Sequence, residues 1–504
     1  MKTRRLSLTL GVLGLGAVLL VGTPAQTEQP PPPPQPEGVE VLARGPVHEA
    51  YAQPVTTQPE PGPVVTKEPP ESIEELPPDQ RPEGDNVQWI PGYWAWDGDQ
   101  GEYLWVSGFW RAPPPGRSWM PGHWQEVDQG WMWVAGFWAP ANVDEVHYLP
   151  PPPPSVDEGP STPAPDRDSC YVSGCWVYQE TRYLWRPGHW VAYYPNWVWI
   201  PADYVWTPGG CLFVDGYWDH PLEERGLLFA PVRFGRQWWE GARRPYIPQY
   251  VVQPDFLFGA LFVGPAVQHY YFGDYFDERY EKRGFVAWPD YRLGRSTFDP
   301  NFSYYRHQHA AESRWEPALR DLYRARRSGA VPRPPRTLVE QIQAVKNITA
   351  DKSVNVTVHK DINLTHLQNV TALAPLKEVH NTRVTQLGAL SQEKESKGGS
   401  HVLKLEPVPQ EEQARAQKAA AQLRQAASQR RDVEARLLSE GGVPVKHTDP
   451  PKAVKVALPQ PPPPVATPRP ARKELPAAPV VPKHVDRPIP KYEPPRPPSP
   501  PKKK

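Results

Sequence analysis

Cysteine is almost absent from this chain. The 504 residues hold only Cys170, Cys175 and Cys211, without a C-x-x-C pair. So few thiols cannot build a structural zinc centre on their own. Net charge is absent too, because 56 Lys and Arg offset 56 Asp and Glu. Beyond Val21 no stretch reaches the roughly 18 consecutive apolar residues of a spanning helix. There is no P-loop, no dinucleotide fingerprint and no nucleophile elbow in its required context. His307-x-His309 lacks a suitably spaced acid or third histidine for a metal. Asp215, Glu223 and Glu224 read as solvated surface, because a glycosidase acid needs a shielded site. These absences speak against an enzyme. No catalytic residue, metal, cofactor or nucleic-acid partner is expected.

Proline and aromatic residues are abundant. The 71 prolines concentrate outside an aromatic middle region. At the N-terminus, Lys2, Arg4 and Arg5 precede an apolar run from Leu6 to Val21, and Thr23-Pro24-Ala25 offers the small residues of a cleavage site. Residues 1–25 are therefore expected to be a signal peptide that exports the chain to the periplasm or cell surface. An uncleaved anchor is the other reading. No cysteine near the cleavage point supports a lipoprotein. Residues 26–86 carry 12 acids against 3 basic residues, and Pro451 to Lys504 carries 12 basic residues against 3 acids. Both read as disordered polyproline-type arms without a core, acidic at one end and basic (441–504) at the other.

Between the arms an aromatic cassette recurs, mostly every 14 residues. Its framework positions are Trp89, Gly92 and Trp94; Trp105, Gly108 and Trp110; Trp119, Gly122 and Trp124; Trp133, Gly136 and Trp138; Tyr171, Gly174 and Trp176; Trp185, Gly188 and Trp190. Weaker frames begin at Trp199, Trp206 and Phe213, the last with Gly216 and Trp218, at half the main period. Tyr103-x-Trp105 and Trp131-x-Trp133 alternate with period two, as strands do. Each cassette is expected to be a strand, a tight turn and a second strand. Gly108 would take positive φ, and Pro91-Gly92, Pro121-Gly122 and Pro187-Gly188 suit the centre of a type II turn. A simple bend at Pro-Gly is the alternative geometry. His123 and His189 occupy the position of Tyr93 and Phe109, which suggests an interchangeable surface or groove site. A Trp buries on the order of 150–250 Å², so units this short can build a core from indoles.

The cassettes resemble the YXWGXW (WXXGXW) repeat family of secreted bacterial proteins. Tyr103-x-Trp105-x-x-Gly108-x-Trp110, Tyr183-x-Trp185-x-x-Gly188-x-Trp190 and Trp131-x-Trp133-x-x-Gly136-x-Trp138 carry the resemblance. The long Pro-rich flanks look like those of large planctomycete-type members. The resemblance implies export and no catalytic residue. Tyr204, Gly210 and Cys211 depart from the motif, and the Pro150–Pro154 block interrupts the row.

The expected fold is mainly β: short aromatic antiparallel units, disordered Pro-rich arms and one C-terminal α-helix. Repeat blocks at 87–140 and 169–220 flank a Pro-rich linker at 141–168. An aromatic continuation at 221–300 leads to a mixed, weakly ordered region at 301–410. Residues 411–440 form the helix, being rich in Ala, Gln, Arg and Glu and followed by Gly441-Gly442. Its seam of Ala416, Ala419, Leu423, Ala426, Val433 and Leu437 would allow weak self-association, although Arg430 interrupts it. Export permits a disulfide from Cys211 to Cys175 or to Cys170. The function expected is a non-enzymatic scaffold in the cell envelope, with an envelope polymer, an anionic surface or an envelope protein as partner. The alternative is a carbohydrate-binding module with an exposed row of Trp faces.

Overall fold

Cassettes pair two by two, except that the weak frame begun at Trp206 spans a chain reversal, with Trp206 opposite Cys211 and Thr207 opposite Gly210, and is not a cassette of its own. A computed structural model describes residues 37–84, 86–141, 145–241, 244–265, 269–295, 297–350, 370–379, 383–384, 401–402, 404–440, 444 and 449–455. In hairpin 1 the strand Gln88–Ile90 pairs with Phe109–Arg111, and Tyr93–Asp97 pairs with Glu102–Val106. Trp89 thus faces Trp110 and Trp94 faces Trp105. Hairpin 2 repeats this with Trp119 opposite Trp138 and Trp124 opposite Trp133. Hairpin 3 sets Tyr171 opposite Trp190 and Trp176 opposite Trp185. Hairpin 4 sets Trp199 opposite Trp218 and Tyr204 opposite Phe213. The repeating object is a pair of cassettes with an outer and an inner ladder, separated at the glycines.

This geometry corrects the expected turn. Chain reversal happens between cassettes, where Gly101, Glu180 and Gly210 have positive φ of 64°, 53° and 126°. Gly108 and the other cassette glycines are not among the positive-φ residues. The two strands of one cassette never pair with each other. They pair with the next cassette, and the chain only bends at Pro-Gly.

The inner ladders recruit distant strands. Hairpin 1 lies in a four-stranded sheet with Val39–Val41 and Val232–Phe234, in the order 39–41, 232–234, 102–106, 93–97. Val64–Val65 pairs with hairpin 2, and Glu145–Leu149 joins hairpin 4 to Lys452–Lys455. A separate sheet orders Gly45–Pro46, Tyr270–Phe272, Leu261–Val263 and Val286–Ala287. Phe256, Leu257, Phe258, Leu261, Phe262, Val263, Tyr270 and Phe272 of the dense apolar runs lie in the main core with Val39, Val47, Tyr51 and Val55.

The fold is mainly β, with more helix than the single segment expected. Helices α1 (Pro300–Gln308), α2 (Trp315–Ser328), α3 (Leu338–Ala350) and α4 (Gln410–Ser439) are present. Asp299 caps α1 by accepting the N–H of Phe302 at 3.0 Å. Phe302, Trp315, Leu319 and Tyr323 are buried in the main core, so 300–328 is not weakly ordered. Helix α4 lies across the outer strands of hairpin 1 and along hairpin 2. Ala416 and Ala420 pack with Trp89 and Trp110; Ala426 and Val433 pack with Met120 and Phe137. The seam that a coiled-coil partner would need is thus covered from within the chain.

The acidic arm is corrected as well. Residues 37–84 wrap the hairpins and bury Val39, Val41, Val47, Tyr51, Val55 and Ile73. Net charge and proline content misled here, because the arm borrows a core from the aromatic units. The proposed signal segment, and most of 441–504, lie outside the described residues; Lys452–Lys455 is a strand. Limited trypsinolysis should give a resistant fragment that begins before Val39 and shows no native cleavage at Arg44 or Arg81, both 7% exposed. A resistant fragment starting near Asn86 would contradict this architecture.

Candidate functional site

The most distinctive local chemistry lies at the centre of each hairpin, where two glycines cross. A Cβ on Gly122 would stand 2.5 Å from the Trp133 ring, and one on Gly136 would stand 2.5 Å from the Trp119 ring. The same contact relates Gly92 to Trp105, Gly108 to Trp89, Gly174 to Trp185, Gly188 to Tyr171 and Gly216 to Trp199. Every one of these glycines therefore carries the first aromatic ring of the partner cassette. Close approach, not backbone conformation, demands glycine.

Cross-strand rings complete the frame. Trp94–Trp105, Trp119–Trp138 and Trp199–Trp218 have centroid distances of 5.1, 5.2 and 5.0 Å in tilted or edge-to-face geometry. Such pairs contribute about 0.5–1.5 kcal/mol each beyond their buried area. Between hairpins, Tyr93 stacks on Trp133 at 4.7 Å and Tyr103 meets Trp124 edge-on. Trp89, Trp105 and Trp110 are each 1% exposed, so these faces cannot serve as open platforms. Hairpin 3 differs: Trp176, Trp185 and Trp190 are only half-buried.

At the crossings, inward-facing N–H groups need acceptors. Glu75 supplies one carboxylate to three of them: Gly92 N–H at 2.8 Å, Gly108 N–H at 2.9 Å and the Trp105 indole N–H at 3.1 Å. Glu49 does the same in hairpin 2, accepting from the Trp133 indole at 2.6 Å and Gly136 N–H at 3.0 Å. His269 Nε2 lies 2.9 Å from the same carboxylate. Asp157 serves hairpin 3, accepting from Tyr171 at 2.8 Å and Gly174 N–H at 3.3 Å. Hairpin 4 uses its own Asp215 for Gly216 N–H. Burial raises the Glu75 carboxyl to about 7, against the opposing pull of the two glycine N–H groups, the indole and Arg424.

The carbonyl side of hairpin 2 is met by helix α4. Arg430 donates to the Ala135 carbonyl at 2.8 Å and to Glu434 at 2.8 Å, with its guanidinium over Phe137. Glu434 also accepts from Tyr148 and faces His123. Burial, more than the neighbouring Glu434 can offset, lowers the His123 pKa. His123 is therefore a buried group, whereas His189 is exposed, so the two are not interchangeable. Arg430, which looked like a flaw in the seam, is a buried clamp. Hairpins 1 and 4 are joined by Arg111, which makes two 2.7 Å bonds to Asp219, and by Arg225 at 3.1 Å from the same carboxylate. Burial would raise the Asp219 pKa, but Arg111 and Arg225 outweigh it and hold it low.

All three thiols are unpaired, contrary to the expected disulfide. Cys175 faces Arg186 in hairpin 3, and Cys211 faces Trp206 in hairpin 4. Burial pushes the Cys211 thiol up to about 12, which makes it a poor nucleophile. His307 and His309 diverge, the first stacked on Tyr193 and the second on Trp315. Among the described residues no group of three His, Cys, Asp or Glu is placed to hold a metal. A cavity of about 30 Å³ between hairpins 3 and 4, lined by Cys170, Tyr193, Trp199 and Tyr304, has room for about one water. Tyr305 donates to Glu223, and Asp215 serves Gly216, so the acidic trio is divided between structural contacts.

These features define a protein built on paired aromatic β-hairpin repeats. Residues 84–111, 119–139 and 171–191 match the family model of the WXXGXW repeat (2 copies), and the chain carries that repeat. Each matched segment coincides with one hairpin, which explains why the unit has two copies of the motif. Neither a curated protein nor a solved structure gives a match. The matches stop before hairpin 4, where Ala202 stands in the glycine position and Phe213 in the first aromatic position.

Two outcomes test the site. By register, Ala202 and Phe213 meet as Gly92 and Trp105 do, so the smaller ring makes room for the methyl group. Phe213→Trp alone should destabilise by about 1–3 kcal/mol through overpacking, and Ala202→Gly should recover most of that loss. Additive effects in denaturant titrations would refute the pairing. The second outcome concerns pH. A buried carboxyl raised from its ordinary value to about 7 holds its proton longer when folded, so it contributes less stability as pH climbs from 4.5 to 7. The Tm advantage of the wild-type chain over Glu75→Gln should therefore shrink between pH 5 and pH 8. An advantage that grows over that interval would show that Glu75 favours its ionised form.

Proposed function

We propose that this chain is a non-enzymatic, exported repeat protein that acts as an interaction scaffold in the bacterial cell envelope. The observation that carries this reading is the use of the cassette residues. Their rings, glycines and buried carboxylates are engaged in packing and hydrogen bonding, and among the described residues they assemble no reaction centre. The basic N-terminus and apolar run from Leu6 to Val21 support export. The basic C-terminal segment supplies attraction to an anionic polymer or lipid surface, which needs dispersed charge and no specific geometry.

Burial of the Trp faces in hairpins 1 and 2 weighs against the carbohydrate-binding alternative. In hairpin 3 the indoles of Trp176 and Trp190 donate to Pro154 and Thr162, so part of that row is also engaged. Deleting residues 456–504, which leaves the strand Lys452–Lys455 in place, should abolish most of the association with an anionic envelope polymer. The association of the full chain should weaken with salt, since exposed charges are screened within about 8 Å at physiological ionic strength. Salt-independent retention of the shortened chain would reject the role of the tail. Saturable Trp fluorescence quenching by a neutral polysaccharide would promote the carbohydrate reading.

A further inference from the structure

Two hairpins hold an extended segment of the chain in the same way. In hairpin 1, Tyr103 donates its hydroxyl to the Lys67 carbonyl at 2.7 Å, the Trp94 indole donates to the Glu71 carbonyl at 3.0 Å, and Gly92 N–H donates to the Glu75 carboxylate. In hairpin 3 the equivalent Tyr183 donates to the Pro150 carbonyl, the Trp176 indole to the Pro154 carbonyl at 2.9 Å, and Gly174 N–H to the Asp157 carboxylate. The contacted residues are spaced 67, 71, 75 in one strap and 150, 154, 157 in the other. Three donors in a row therefore read two carbonyls and one acid. A polyproline strand suits such a row, because its carbonyls have no internal partners and its prolines have no N–H to strand.

The two straps are seated to different depths. In the first, Ile73 enters the main core at 8% exposure and Glu75 accepts from both crossing glycines. In the second, Val156 remains 57% exposed. Asp157, one methylene shorter, accepts from the Tyr171 hydroxyl at 2.8 Å but from only one crossing glycine, Gly174 at 3.3 Å, and its buried Oδ2 has no hydrogen-bond partner. The strap of hairpin 3 is thus an incompletely fitted ligand on a site that hairpin 1 shows fully filled. Its sequence, five prolines, two further residues and an acid, occurs a second time as Pro30–Pro34, Gln35, Pro36 and Glu37, now with the longer acid.

We propose that hairpin 3 is a docking site for a proline run followed after two residues by an acid, delivered by a second copy of this chain. Tyr183 and Trp176 bind the carbonyls of the run, and the Gly174 N–H binds the acid. This rests on the scaffold reading and gives it a partner: copies link through exchanged proline runs. Residues 150–168 separate the strands Glu145–Leu149 and Ser169–Val172, so the resident strap can lift while both strands stay paired.

The test uses the full chain and two peptides. In one variant, Pro150 to Pro154 are all replaced by serine to loosen the resident strap. The peptide PPPPPQPE should bind this variant saturably, read by Trp fluorescence. The amide peptide PPPPPQPQ, or the added substitution Trp176→Phe, should weaken binding about tenfold, as loss of a hydrogen bond to a charged or buried group does. The unaltered chain should show concentration-dependent dimers in sedimentation, and excess PPPPPQPE should dissolve them. Equal binding of both peptides, or no binding by a serine variant with native near-UV circular dichroism, overturns the proposal. If that variant does not fold, sedimentation decides: an unaltered chain that is monomeric throughout its soluble range overturns strap exchange. Such a chain would still show tail-dependent association with an anionic polymer if the scaffold reading holds, so the two failures are distinguishable.

Discussion

The repeat body depends on an aromatic ring lying flat against the backbone of a glycine in the partner cassette. At Gly122 and Gly136 a single added carbon would fall 2.5 Å from an indole, so this contact admits no side chain. It also fixes register, because sliding one cassette past the other by a residue would drive the ring into a Cβ and move every aromatic to the opposite face. In hairpin 3 a Tyr171 ring takes the place of the indole against Gly188, and in hairpin 4 both members of one contact change together. Ala202 replaces glycine in the one hairpin whose facing ring is Phe213.

Bringing backbone this close has a polar consequence. The N–H groups at the crossing turn inward, away from water and from either ladder, and must find an acceptor inside the body. Glu75, Glu49 and Asp157 meet that need from segments outside the cassettes. The acidic, proline-rich segments are therefore part of the fold. Proline is well suited to them, since an extended strap that crosses a hairpin has no neighbour for its own N–H groups. Helix α4 answers the opposite face through Arg430, whose guanidinium reaches the Ala135 carbonyl.

A protein organised this way uses its charged residues twice over. Zero net charge conceals an acidic segment whose key carboxylates are internal and a basic segment near the C-terminus that offsets them in the sequence. The internal acids stabilise hairpins, and the buried Arg111–Asp219–Arg225 group joins hairpin 1 to hairpin 4. On the function proposed above, the basic tail is the part that meets an anionic partner, and the incompletely seated strap of hairpin 3 is the part that gives way to a proline run.

Much of the architecture is legible in the residues themselves. Aromatic residues at period two and a recurrent glycine define short strands, their β character and their span, because those patterns are local. The helix at 410–439 is equally local, set by Ala, Gln, Arg and Glu between Pro409 and the glycines that follow it. What sequence could not decide is which cassette pairs with which, since any two have compatible patterns; turn lengths between cassettes settle that. Nor could it assign Glu75, Glu49 and Arg430, whose partners lie 33, 87 and 295 positions away. An acid in a proline-rich arm looks solvated until a crossing of glycines gives it three donors. Local pattern determined the strands, the helix and the aromatic frame; only tertiary structure decided the pairing and the straps, because burial of an N–H group is a property of the whole assembly and not of its neighbours in sequence.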